Sequence, residues 1–204
     1  MLEKSPNEDT RTALLRAATR LFAEKGFYGA SIAAIARELD LTKQALIHHF
    51  GSKERLYGEV LQQIADELVA AMVEATSDQA DPMAQLELLL TRMYDTHKTR
   101  PEQSRLLMRE LLDNRPRAER ADTWYLKSFL KGLVVVVQRI PGWQSASEAE
   151  ALAAVYQLLG AISYYAISEP TLTRIFGKAT YAELDEAFPT RLRLLMRASF
   201  ERPP

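Results

Sequence analysis

Apolar residues return at helical spacing along almost the whole of this 204-residue chain, in stripes punctuated by residues that start and stop helices. Leu14, Ala17, Ala18, Leu21 and Phe22 form the first stripe. It closes at Lys25-Gly26, where glycine suits the left-handed residue after a helix end. Ser31 is placed to cap a second helix with Ile32, Ile35, Ala36 and Leu39 inward. Thr42 is placed to cap a third, with Ala45, Leu46, His49 and Phe50 along one side. Ser52 opens a long fourth helix through Leu56, Val60, Leu61, Ile64, Leu68 and Met72. Asp81-Pro82 and Pro101 open two more, since proline suits the first helical position. After Arg115-Pro116 a further helix is expected to run to Ile140, closed by Pro141-Gly142. Ser147 with Glu150 makes a capping box for a strongly apolar helix over 148–168. Thr180 with Glu183 makes a second box, and Pro189 is expected to break that segment and restart it as 189–200. No run alternates convincingly at the two-residue period of a strand, so the expected fold is all-α.

Composition narrows the chemistry. With no cysteine in the chain, disulfide frameworks, thiolate metal sites and thiol nucleophiles are excluded. The N-terminal stretch MLEKSPNEDTRT is polar from the start, so no secretory signal is visible, and no uninterrupted apolar run approaches the length of a membrane span. A cytoplasmic protein without a membrane partner is expected. Net charge is −1, and residues 1–60 carry nine Lys/Arg against eight Asp/Glu. That permits a small cationic face on a protein that is not basic overall. No paired-carboxylate motif with a basic partner, Gly-rich phosphate loop or Glu-x-x-His di-iron motif is present. An all-α enzyme is therefore the weaker alternative; no catalytic residue and no cofactor is assigned.

The first three helices are short, and only Asp40-Leu41 separates the second stripe from the Thr42 cap. This is the helix-turn-helix arrangement, whose second helix enters the DNA major groove with its N-terminal residues at the base edges. The run GFYGASIAAIARELDLTKQALIHHFGSKERLYGEVL, residues 26–61, resembles the DNA-binding domain of TetR-family transcriptional regulators. The resemblance rests on Gly26-Phe27, Ser31, Ile35-Ala36, Thr42, Leu46, His49-Phe50, Ser52-Lys53-Glu54 and Leu56. It departs from the family pattern at Asp40, where the turn glycine usually stands, and at Ile47, where a phosphate-contacting tyrosine usually stands. Asp40 can still take the left-handed conformation at some cost. The resemblance implies a helix-turn-helix DNA-binding domain over residues 1–55. A larger helical effector-binding and dimerisation domain would take 56–204.

Within that frame Thr42 caps the reading helix, where its hydroxyl and the free N–H groups of the first turn can meet a phosphate. Gln44 can bond adenine bidentately, Lys43 can reach guanine, and Ala45 offers a methyl to thymine. Ser31 and Lys53 are expected on phosphates, which fix orientation without reading sequence. His48 and His49 are expected near the DNA backbone, with His49 also packing beside Phe50. They are not a metal pair. Adjacent helical residues point about 100° apart, a zinc pair wants i, i+4 spacing, and the third histidine, His97, is remote.

The resemblance further implies a double-stranded DNA operator with two-fold symmetry and a homodimer. Candidate interface stripes are Leu152, Val155, Tyr156, Leu159 and Ile162, with Leu192, Leu195, Met196 and Ala198 or Phe200; spacing cannot separate interface from core. A small, largely apolar effector would sit among Met93, Leu107, Met108, Trp124 and Phe129, with Arg105, Arg109 or His97 available for one polar group. Control by a protein partner in place of an effector is the other alternative. The fourth helix, leaving the DNA-binding segment, is expected to carry the coupling.

Overall fold

The computed structural model describes residues 9–113 and 125–202; Trp124 and the start of the helix expected after Arg115-Pro116 lie outside them. Among the described residues there are eight helices and no strand. They are α1 (Thr10–Gly29), α2 (Ile32–Arg37), α3 (Lys43–Phe50), α4 (Lys53–Asp78), α5 (Pro82–Thr99), α6 (Pro101–Asp113), α7 (Lys127–Gln138) and α8 (Glu148–Phe200).

Most helix starts follow from a residue three positions away. Ser31 Oγ accepts from the Ala34 N–H, Thr42 Oγ1 from Ala45 and Ser52 Oγ from Arg55, at 3.1, 3.2 and 3.2 Å. Asp81 accepts from Met83 and Ala84 ahead of Pro82. Ser147 and Glu150 form a full capping box. Each oxygen satisfies a donor that the first turn leaves without an intrahelical partner.

The C-terminal region departs from the pattern read off the sequence. α8 does not end near Ser168, Thr180 does not cap a new helix, and Pro189 does not break one. The single interruption is Gly177, at φ 85° and ψ 163°, a backbone region that is essentially glycine's own. Helix then continues through Pro189 to Phe200. Proline has no N–H for the carbonyl four residues back, which is Asp185. The Tyr94 hydroxyl bonds that carbonyl instead, at 3.1 Å. A side chain 91 positions away in sequence thus offers that carbonyl a donor, one proton shared with the Asp185 carboxylate at 2.9 Å.

The helices group into two compact units that are not contiguous in sequence. One takes the residues up to Ala65 together with the α6 segment from Glu102; the other takes Asp66–Pro101 and the described residues from Leu126 onward. In the first, Leu14, Phe22, Ile35, Leu46, Leu56 and Val60 are fully buried. Arg20 pairs with Glu38 to tie α1 to α2, and Arg11 pairs with Glu59 to tie α1 to α4. In the second, α5, α7 and α8 enclose a core of Leu86, Leu89, Phe129, Leu133, Leu158 and Met196. Trp143 closes that core edge-on against Phe200, its indole N–H donating to the Phe200 carbonyl at 3.2 Å.

Candidate nucleic-acid interface

α3 is two-faced because only some of its positions can turn inward. Leu46 and Phe50, four residues apart, are buried, and Arg11 lies over the Phe50 ring at 5.0 Å. Fully burying a leucine stabilises the fold by roughly 1.5–3 kcal/mol, which fixes the rotation of so short a helix. That rotation leaves Thr42, Lys43, Gln44, His48 and His49 exposed, with Ala45 and Ile47 half-buried at the edge.

The turn before α3 is set by Asp40 at φ 55°. Its N–H donates to Arg37 O at 3.2 Å and the Leu41 N–H to Ala36 O at 3.0 Å. These are the paired bonds of a helix end closed by a left-handed residue, here carried by aspartate in place of glycine. Ser31 is exposed at the start of α2. Lys53 is half-buried at the start of α4, with its ammonium 4.6 Å from the centre of the Phe27 ring. The neighbouring Glu54 carboxylate is held below its ordinary pKa by a hydrogen bond with its own backbone and then by Ser52, so the first turn of α4 also carries a negative charge.

His48 and His49 have ring centres 6.0 Å apart at 69°, and His49 lies 6.2 Å from Phe50. Among the described residues no group of three or more His, Asp or Glu side chains is placed to hold a metal ion.

Sequence reasoning missed the supports behind this face. Phe22, Phe27 and Tyr57 form an aromatic hub, with Tyr57 edge-on to Phe22 at 4.9 Å and to Phe27 at 5.1 Å. The Tyr57 hydroxyl donates to Glu110 of α6 at 2.6 Å. Arg109, also on α6, donates to the Ala23 and Glu24 carbonyls of α1, just ahead of the non-helical Gly26 that ends its first stretch, at 2.8 and 3.0 Å. No local pattern marks pairings made at such sequence separations.

Residues 14–60 match the family model described as bacterial regulatory proteins, tetR family. This segment belongs to the TetR family.

The repressor KstR2 of Rhodococcus jostii is 35% identical over 96 residues, which cover 44% of this chain and 47% of that protein. The regulator RutR of Escherichia coli O157:H7 is 27% identical over 170 residues, covering 82% of this chain and 78% of that one. Several other curated relatives match over about half their length. The fold extends beyond the TetR-family segment. The fatty acid degradation regulator FadR of Bacillus halodurans superposes with a TM-score of 0.69 at 15% identity, covering 96% of each chain.

Outside the TetR-family segment, the expected effector residues are divided between the two compact units. Phe129 is inside the core of the second unit and Met93 is half-buried against it. Leu107 and Met108 are half-buried on α6, in the first unit, and Trp124 is outside the described residues. Of the expected polar partners, Arg105 is exposed, His97 is buried, and Arg109 is engaged at the end of α1. An open cleft of about 670 Å³, lined by Asp81, Met83, Glu87, Ile140, Arg197 and Phe200 among others, contains none of the expected effector residues.

The expected interface stripes divide into two sets. Val155, Ile162, Leu192, Met196 and Phe200 are buried in the chain's own core, whereas Tyr156 and Leu195 are 51% and 43% exposed. Leu152 and Leu159 are half-buried. α8 also contains a window apolar enough to cross a membrane by length and composition, and 44% of that window is buried within the protein.

Proposed function

We propose that the protein is a one-component transcriptional regulator, most simply a repressor, and not an enzyme. It acts in the cytoplasm as a homodimer on a palindromic operator and is released by a small, largely apolar effector. The observation that carries this reading is the two-faced α3 of a TetR-family segment. Leu46 and Phe50 anchor it, while Thr42, Lys43, Gln44 and His48 stay exposed on the face that would enter the major groove. Lys43, Gln44 and Ala45 read bases; Ser31, Thr42, His48, His49 and Lys53 hold phosphates. The effector would be met by Met93, Leu107, Met108, Trp124 and Phe129. The names of the curated relatives are those of transcriptional regulators, among them repressors, which supports the regulatory reading.

Selection of bound fragments from genomic DNA tests the reading. Recovered fragments should share a site with two-fold symmetry, and the neighbouring genes should point to the effector. Recovery of asymmetric sites only, or of none, overturns it.

A further inference from the structure

Two adjacent side chains of α6 act on different helices of the candidate DNA-binding segment. Gly26, at φ 70° and ψ 172°, interrupts the helical backbone of α1, and the last carbonyls of a helical stretch are the ones that look outside it for donors. Arg109 meets two of them, through Nε to Ala23 and Nη2 to Glu24, and puts a fixed positive charge at the negative end of the helix dipole. The next residue, Glu110, is 8% exposed and accepts from the Tyr57 hydroxyl in the first turns of α4. Tyr57 in turn packs on Phe22 and Phe27, and the Phe27 ring carries the Lys53 ammonium. One end of this series of contacts is therefore α6 and the other is a candidate phosphate ligand.

We propose that Arg109 and Glu110 are positioning residues for DNA recognition. Without touching the duplex, they brace the end of α1 and the start of α4, and so set where α2 and Lys53 meet it. The inference rests on the reading of the chain as a DNA-binding regulator.

The test compares the full-length protein with Arg109→Ala, Arg109→Lys, Tyr57→Phe and Glu110→Gln, the last still able to accept from Tyr57. Operator affinity is measured across a salt series, with hydrogen exchange over residues 20–31 and a melting curve for each free protein. Arg109→Ala should weaken operator binding by roughly tenfold or more, as expected for losing hydrogen bonds from a charged group. Its salt slope should stay that of the wild type, and exchange at the α1 end should quicken. Glu110→Gln should bind nearly as well as the wild type, and Tyr57→Phe more weakly. A slope smaller by about 0.9 would mean that Arg109 itself meets a phosphate, and would overturn the inference. So would a lower melting point with undiminished affinity, which marks a role in stability alone. If Arg109→Ala does not fold, Arg109→Lys and Tyr57→Phe carry the comparison, and unchanged binding by both overturns the proposal. A wild type that binds no DNA would instead sink the functional reading. The exchange measurement would still test the brace, and unchanged exchange in Arg109→Ala would refute it.

Discussion

Asp40 shows how one residue can be legible in the sequence and still carry a cost. It takes the left-handed turn position that glycine would fill without strain. Asp40→Gly should raise the unfolding free energy by about 1 kcal/mol, the strain relieved outweighing the added freedom of the unfolded chain. Asp40→Val should lower it, since a branched side chain is poorer still at positive φ. Urea titration of both variants checks the sign. Lys53 and Gln44 separate at this scale too. Lys53→Ala should weaken binding to every sequence alike and reduce the salt slope by about 0.9, one phosphate contact. Gln44→Ala should cost roughly 1–3 kcal/mol at one base position and leave that slope unchanged. The cation–π contact of Lys53 with Phe27, worth about 0.5–1 kcal/mol at an exposed site, contributes to stability and not to the slope.

Among the elements, α8 holds the least expected arrangement. After Gly177 its second part is fixed to α5 by Asp185, whose carboxylate accepts from Tyr94 at 2.9 Å and Tyr165 at 2.6 Å and pairs with Lys98 at 2.8 Å. Burial pushes the Asp185 carboxyl up, but hydrogen bonds from Lys98, Tyr165 and Tyr94 outweigh it and hold the group below its ordinary pKa. A depressed carboxyl contributes stability above its unfolded value and loses it as the pH falls through the folded one. Tyr94 and Tyr165 are both pushed up, first by burial and then by the bond to Asp185, and Lys98 is pushed up to about 12 by Asp185. Those contributions are present below the unfolded values near 10 and fade as the pH rises past them. The melting temperature should therefore fall off below about pH 4 and above about pH 10. Asp185→Asn should flatten the acid limb while lowering stability at neutral pH. A melting profile with an unchanged acid limb in that variant would count against the Asp185 node. Gly177→Ala should cost about 1–3 kcal/mol from backbone strain alone, because an added Cβ would meet nothing within 4 Å.

For the whole molecule, the dimer proposed above would use the outward line of α8. Residues 151–168 carry no charge. On that stretch Tyr156 and Tyr164 are 51% and 72% exposed, with Gly160 midway between them. A Cβ on Gly160 would meet nothing within 4 Å, so the chain's own packing does not require glycine there. A helix-interior glycine costs roughly 1 kcal/mol relative to alanine, a cost that close approach by a second copy would explain. Gly160→Leu should leave the fold intact yet shift the protein toward monomer in light scattering, and should weaken operator binding with it. A Gly160→Leu protein that stays dimeric would place the interface elsewhere. Effector and operator should also be reciprocally linked. Any ligand that lowers operator affinity by a given factor must lose affinity for the operator complex by the same factor. Half-sites spaced at about 34–36 Å would give such a dimer little tolerance for displacement.

What the sequence determined by itself was local. The all-α class, the caps at Ser31, Thr42, Ser52, Asp81 and Ser147, and the helix-turn-helix pattern were all legible, because a cap and its donor lie two or three residues apart. The left-handed turn at Asp40 was legible for the same reason. Tertiary structure decided the rest. Thr180 and Pro189 read as a start and a break, yet Tyr94 bonds the Asp185 carbonyl that Pro189 leaves open, and helix runs through both positions. Val155 and Tyr156 stand side by side in one apolar stripe, and only packing put the first in the core and left the second half in solvent. Arg109 and Ala23 are separated by 86 positions, and no local pattern reports a bond made across that distance. Periodicity records which face of a helix is apolar, but what covers that face depends on the path of the chain between the partners.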